Sequence, residues 1–100
     1  MKKLIGTMVI TTLMATTGQA IAGDAAAGQA KSTSCAGCHG ANGISSNDLW
    51  PNLAGQKATY LSKQIKAFRD GQRNNRMMSN MVKNLTDQDA DDLAAYYSGL

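Results

Sequence analysis

Glutamate is absent from this chain, histidine occurs once, and no segment alternates apolar and polar residues as a half-buried strand would. Each shortage excludes something. Paired-carboxylate chemistry would rest on seven aspartates, and four of them (Asp87, Asp89, Asp91 and Asp92) crowd one segment, where helix capping and the helix dipole account for them. Without strands there is no βαβ framework for a thioredoxin-like dithiol oxidoreductase, and the chain is too short for one. Any catalytic set built on an imidazole has only His39 to draw on. The mostly apolar stretch Leu4 to Ala15 is 12 residues long, short of the roughly 18 to 20 needed to cross a bilayer.

That stretch reads as the core of an export signal. Met1-Lys2-Lys3 supplies a positive start, and Ala20-Ile21-Ala22 a small-x-small cleavage site, so residues 1–22 are expected to be removed and residues 23–100 to form one domain. No cysteine lies near the cleavage site to carry a lipid. The charge of +3 includes Lys2 and Lys3 and falls to +1 for residues 23–100. A balance that even does not point to nucleic acid as a partner. The expected compartment is the periplasm, with no stable membrane insertion of the mature chain. At 78 residues the domain sits near the size at which a hydrophobic core alone barely suffices.

The two cysteines and the one histidine fall within five positions, as Cys35-Ala36-Gly37-Cys38-His39. Cys-x-x-Cys-His is the attachment signature of c-type haem. Two thiols one helical turn apart add to the vinyl groups of the porphyrin, and the next residue supplies an imidazole to iron. The expected cofactor is one haem c bound through Cys35 and Cys38, with His39 as an iron ligand. A short-span disulfide or redox dithiol would leave the histidine incidental. A covalent haem also provides the apolar plate that so small a core needs.

Helical signals organise the rest. Asp24 is a candidate N-cap for a helix through Ala25, Ala26, Ala27, Ala30 and Lys31 that leads into the haem motif. Residues 40–56 are rich in Gly, Asn and Ser and read as loop. Leu61, Ile65 and Phe68 share one face of a helix over about 57–70, opposite Lys63, Lys66 and Asp70, and Gly71 is its stop signal. Thr86 is an N-cap for a last helix carrying Leu93, Tyr96, Tyr97 and Leu100. An all-α domain is expected.

No second histidine exists to fill the sixth coordination position. Met77, Met78 and Met81 lie within five residues of one another, and although such clusters commonly fill cores, an axial ligand to iron is wanted here. On a helix leading to Leu85, Met78 shares a face with Met81, Val82 and Leu85, while Met77 forms a similar stripe with Met81 and Leu85. Spacing alone leaves the choice open.

Taken together, Cys35-Ala-Gly-Cys-His39, Pro51-Asn-Leu-Ala-Gly-Gln56, the methionine cluster before Leu85-Thr86, and Leu93-Ala-Ala-Tyr-Tyr97 resemble a class I c-type cytochrome over essentially all of residues 24–100. The likeness is to small single-haem periplasmic carriers and to one half of tandem two-haem carriers. It implies the small class I cytochrome c fold, N- and C-terminal helices crossing around the haem, with Gly28 near that crossing against Tyr96 or Tyr97. It implies Met78 as the iron ligand, seven residues before Leu85, and Pro51 as the residue whose carbonyl accepts the His39 ring proton. For Trp50 two roles stay open, the haem edge or plain packing; for Arg73 and Arg76, haem propionates or solvent.

The function implied is one-electron transfer between respiratory complexes or reductases and oxidases, by a low-spin haem with no open site for substrate, hence a carrier and not an enzyme. A gas-binding haem protein (NO or CO) with an open sixth position, or a haem subunit of a larger respiratory enzyme, are the alternatives. Its partners would be an electron donor and an acceptor, with Lys57, Lys63, Lys66 and Arg69 as candidate contacts to an acidic surface, and the chain a monomer or weak dimer.

Overall fold

The computed structural model describes residues 2–12 and 23–100. The expected cleavage site at residues 20–22 lies outside the described residues. Five helices follow one another: α1 (Ala25–Lys31), α2 (Thr33–His39), α3 (Ala58–Arg69), α4 (Arg76–Val82) and α5 (Asp87–Ser98), with no strand among the described residues. The fold is all-α, as expected.

The helix starts follow from their caps. The Asp24 carboxylate accepts the N–H groups of Ala26 and Ala27 at 2.9 and 3.2 Å. Thr86 and Asp89 form a reciprocal capping box at the start of α5, satisfying two donors that the helix leaves unpaired. Asn75 caps α4 by accepting the Met78 N–H at 3.0 Å. At the other end of α3, past the Asp70 C-cap, the Gln72 N–H returns to the Ala67 carbonyl at 2.9 Å.

The helix leading into the haem motif is broken rather than continuous. Ser32 separates α1 from α2, and its hydroxyl donates to the Gln29 carbonyl at 2.7 Å. A serine that bonds back to its own helix competes with the backbone ladder. The methionine segment also differs from the single helical stripe expected of it. α4 ends at Val82, so Leu85 lies beyond the helix that carries Met78, although it still packs on the core. Leu100 falls past the end of α5 and is exposed.

The core gathers where α3 and α1 meet α5, with Leu61, Leu93, Ala94 and Tyr97 at its centre and Cys35, Leu53, Ile65 and Leu85 packed around them. α1 crosses α5 at Gly28. A β-carbon there would overlap the Asp92 carbonyl and lie 2.9 Å from the Tyr96 Cβ, so only glycine lets the two backbones come this close. Tyr96 is thus the aromatic that faces Gly28, while its neighbour Tyr97 turns inward and is buried.

Asp92 is the second tie between the chain ends. It is buried and accepts the Asp24 N–H at 2.8 Å, the Lys31 ammonium at 2.7 Å and the Gln88 side-chain amide at 2.8 Å. These bonds, led by that from Lys31, hold its carboxyl down to about 2. Capping and dipole therefore account for Asp87 and Asp89 but not for the whole acidic run. Asp91 accepts from Ser62 and Lys66 on α3, and Asp92 pins α1.

Candidate haem site

The site is built on the end of α2 and the loop that follows. Cys35 and Cys38, one turn apart, and His39, the last residue of the helix, all line one cavity of about 490 Å³. Gly40 then turns the chain. Its φ is +90°, and a β-carbon would overlap the Ile44 carbonyl. The loop is bound back on itself through the Leu53 and Ala54 N–H groups, which donate to the Gly43 carbonyl at 2.8 and 3.0 Å. It is bound to α5 through the Gly55 N–H on the Tyr97 carbonyl at 2.9 Å.

That return path brings the Pro51 carbonyl 2.7 Å from Nδ1 of the buried His39. A carbonyl oxygen can only accept, so Nδ1 carries the proton and Nε2 keeps its lone pair. The imidazole is therefore held as the tautomer that a metal ligand requires.

Apolar side chains make most of the remaining wall. Leu61, Ile65 and Phe68 come from α3, as their shared face predicts, and Met77, Met78 and Met81 from α4. All three methionines reach the cavity. Met78 is half-buried, whereas Met77 and Met81 are 53% and 48% exposed. Trp50 and Arg73 line the cavity as well; Arg76 does not. Gln64, Tyr60 and Asn75 belong to the wall too, and the sequence reading missed them. Gln64 had a visible signal, since it lies three residues after Leu61 and four before Phe68 on the face already identified.

Two of the four candidate partner-binding cations are engaged within the chain. Lys66 pairs with Asp91 at 3.2 Å, and Arg69 bonds Asp70 and Asp87 at 2.8 and 2.7 Å. Lys57 and Lys63 are exposed.

The residues fit a haem and do not fit a redox dithiol. Burial pushes the Cys35 thiol up, whereas a dithiol oxidoreductase needs a thiolate stabilised at neutral pH. Among the described residues no group of three or more His, Cys, Asp or Glu could hold a metal ion by itself. A single imidazole, with thioethers nearby, would serve a metal whose other donors come from a macrocycle. The apolar wall suits the faces of that macrocycle, and the paired thiols suit its attachment.

Fold and site together define a helical domain built around covalent haem. The family model for cytochrome c matches residues 16–100, and the chain belongs to the cytochrome c family. It is 52% identical over 71 residues to cytochrome c-554(548) of Halomonas halodenitrificans, covering 68% of this chain and 86% of that protein. It is 46% identical to cytochrome c4 of Pseudomonas aeruginosa, over 69% of this chain but 34% of that one. The solved cytochrome c4 of Acidithiobacillus ferrooxidans superposes with a TM-score of 0.74 at 33% identity, over 82% of this chain and 53% of the other. The chain thus spans most of one relative and from about a third to just over half of the c4 proteins. Family membership makes haem c, covalently attached through Cys35 and Cys38, its cofactor, and places the chain among electron-transport haem proteins.

Proposed function

We propose that the chain is a single-haem one-electron carrier of the periplasm, exported by residues 1–22 and functional as residues 23–100. The observation that carries this reading is the bond from His39 Nδ1 to the Pro51 carbonyl inside a cavity that also holds three methionine thioethers. His39 would bind iron through Nε2 and Met78 through its sulfur. Haem bound this way supplies a one-electron iron couple whose potential a thioether ligand raises.

The chain's own part is to keep that couple stiff and dry. Pro51 fixes the ring plane and proton of His39, and the bonds between loop and α5 hold Pro51 in place. Leu61, Ile65 and Phe68 line the cavity and would keep water from a haem held there. A methionine bound to iron would leave no site for NO, CO or a substrate, and three methionines lining the cavity favour a carrier over a gas-binding protein. Leu49, Tyr60, Met77 and Met81 line the cavity and are 81%, 49%, 53% and 48% exposed, an apolar rim on which a redox partner would dock. Lys57 and Lys63 are the candidate cations for steering an acidic partner to the protein.

An optical and redox titration of the purified protein tests the reading. A low-spin ferric spectrum, one reversible one-electron wave and an intact mass equal to residues 23–100 plus one haem are expected. A high-spin ferric spectrum, together with a ferrous spectrum that changes on adding NO or CO, would overturn it in favour of an open sixth position.

A further inference from the structure

Residues 23–100 contain three methionines, Met77, Met78 and Met81, and all of them line the haem cavity from α4. Their settings differ. Val82, four residues after Met78, is buried, so Met78 lies on the face that the helix turns inward, and it is itself half-buried. Met77 and Met81, also four residues apart, share the neighbouring face and are about half exposed. They stand on the rim with Leu49 and Tyr60, while Met78 stands behind them.

A thioether is readily converted to a sulfoxide, which turns a flexible apolar side chain into a polar one. With hypochlorous acid as the oxidant, the sulfur gives up two electrons and gains one oxygen. The chlorine takes those electrons and leaves as chloride, and one proton is released. Access to solvent decides which sulfur reacts first, and a sulfur whose lone pair is engaged by iron is a poorer donor. The sulfurs of Cys35 and Cys38, thioethers once haem is attached, belong to half-buried residues of α2.

Resting on the haem-carrier reading above, with Met78 on iron, we infer that Met77 and Met81 are oxidation sites on the rim, converted to sulfoxides ahead of Met78 and so sparing the iron ligand. A sulfoxide at either rim position sits on a surface that already faces water. A sulfoxide at Met78 would remove the thioether from iron.

The haem-loaded protein and its Met77→Leu/Met81→Leu double variant are titrated with hypochlorous acid. Leucine keeps the volume and apolar character of methionine but carries no sulfur. Residues 77–83 form one tryptic peptide with all three methionines, and its fragmentation gives the order of oxidation. The sulfur-to-iron charge-transfer band of the ferric protein reports Met78. In wild type, Met77 and Met81 are expected to be converted first, with the band kept until both are sulfoxides. In the double variant the dose of oxidant that halves the band should be about threefold lower. With oxidant in large excess, which two thioethers cannot deplete, the band should be lost at the same rate in both proteins. Oxidation of Met78 before or together with the other two in wild type would overturn the inference. So would faster loss of the band in the double variant under excess oxidant, since Met77 and Met81 would then be covering Met78 and not consuming oxidant. A double variant without the band before any oxidant is added would overturn it as well, by making one of the pair the ligand. If wild type carries no covalent haem or no such band, the carrier reading with Met78 on iron has failed, whereas the order of oxidation in the peptide still tests the rim sites.

Discussion

Asp92 accepts the backbone N–H of Asp24 at 2.8 Å, joining the first turn of the described domain to its last helix across 68 positions of sequence. The same carboxylate takes the Lys31 ammonium, so one buried anion ties both ends of α1 to α5. Because its folded-state pKa is held at about 2, below the ordinary 3.8, the folded state binds fewer protons than the unfolded one in that interval. The stability it contributes is fully present above about pH 4 and is lost as pH falls toward 2.

The expected outcome is a thermal midpoint that declines through that window and declines less steeply in Asp92→Asn. The slope should flatten without vanishing, because Asp89, bonded by Lys31, and Asp91, bonded by Ser62, are also lowered. Melting of the haem-loaded protein followed by circular dichroism from pH 7 to pH 2 measures it. Identical acid limbs in wild type and variant would remove Asp92 from the explanation.

Two glycines in helices should respond to alanine with opposite signs. At Gly37, in α2, a β-carbon meets nothing within 4 Å, and Gly37→Ala should stabilise by about 0.5 to 1 kcal/mol through helix propensity. At Gly28 the same atom would overlap the Asp92 carbonyl and crowd Tyr96. Neither backbone there can give way without opening the α1–α5 crossing, so Gly28→Ala should destabilise by about 3 kcal/mol or more. Thermal midpoints of the two variants decide it, and a Gly28→Ala protein as stable as wild type would contradict the packing described.

How much of this was legible beforehand depended on how local each cause is. The starts of α1 and α5 were written in Asp24 and Thr86, since a cap is decided within three residues of itself. The α3 face was written in the spacing of Leu61, Ile65 and Phe68. The burial of Asp92 had no local signal, because its partners on α1 arrive from the far end of the chain; in sequence it is one more acid near a helix start. Lys66 looked free for the same reason, its acid Asp91 belonging to another helix, whereas Arg69 pairs both with Asp87 of that helix and with its own neighbour Asp70, which the sequence did offer. The break at Ser32 rests on one hydroxyl choosing the Gln29 carbonyl, which propensity alone does not specify. Within the site, the haem motif was local and readable. The place of Arg73 on the cavity wall required knowing that the chain folds back onto the end of α3 after Asp70.

Because the acceptor for His39 is a main-chain carbonyl, replacing the Pro51 side chain does not remove it. Pro51→Ala should keep the low-spin spectrum and cost about 0.4 to 1 kcal/mol, the loss of proline's restriction on the unfolded chain. His39→Ala has no other imidazole to fall back on and should lose that spectrum. A Pro51→Ala protein with a high-spin spectrum would mean that the ring of proline, and not the carbonyl, holds the ligand in place.

The last prediction separates the three methionines. All line the cavity, so proximity does not rank them, but their anchoring differs. Met78 carries the N–H that Asn75 caps at 3.0 Å, and its side chain is half-buried, while Met77 and Met81 are about half exposed on the rim. A ligand that must keep one length to iron in both oxidation states is better drawn from the residue whose backbone is fixed. Met78→Ala should therefore abolish the weak sulfur-to-iron charge-transfer band of the ferric protein and lower the potential, and Met77→Ala and Met81→Ala should leave the band in place. Asn75→Ala should cost about 1 kcal/mol by uncapping α4. If Met78 is the ligand, the band in that variant should also fade at a lower temperature than in wild type, before the helices melt. Survival of the band in Met78→Ala with its loss in Met77→Ala or Met81→Ala would move the ligand to the rim and, with it, the face that the iron presents to a partner.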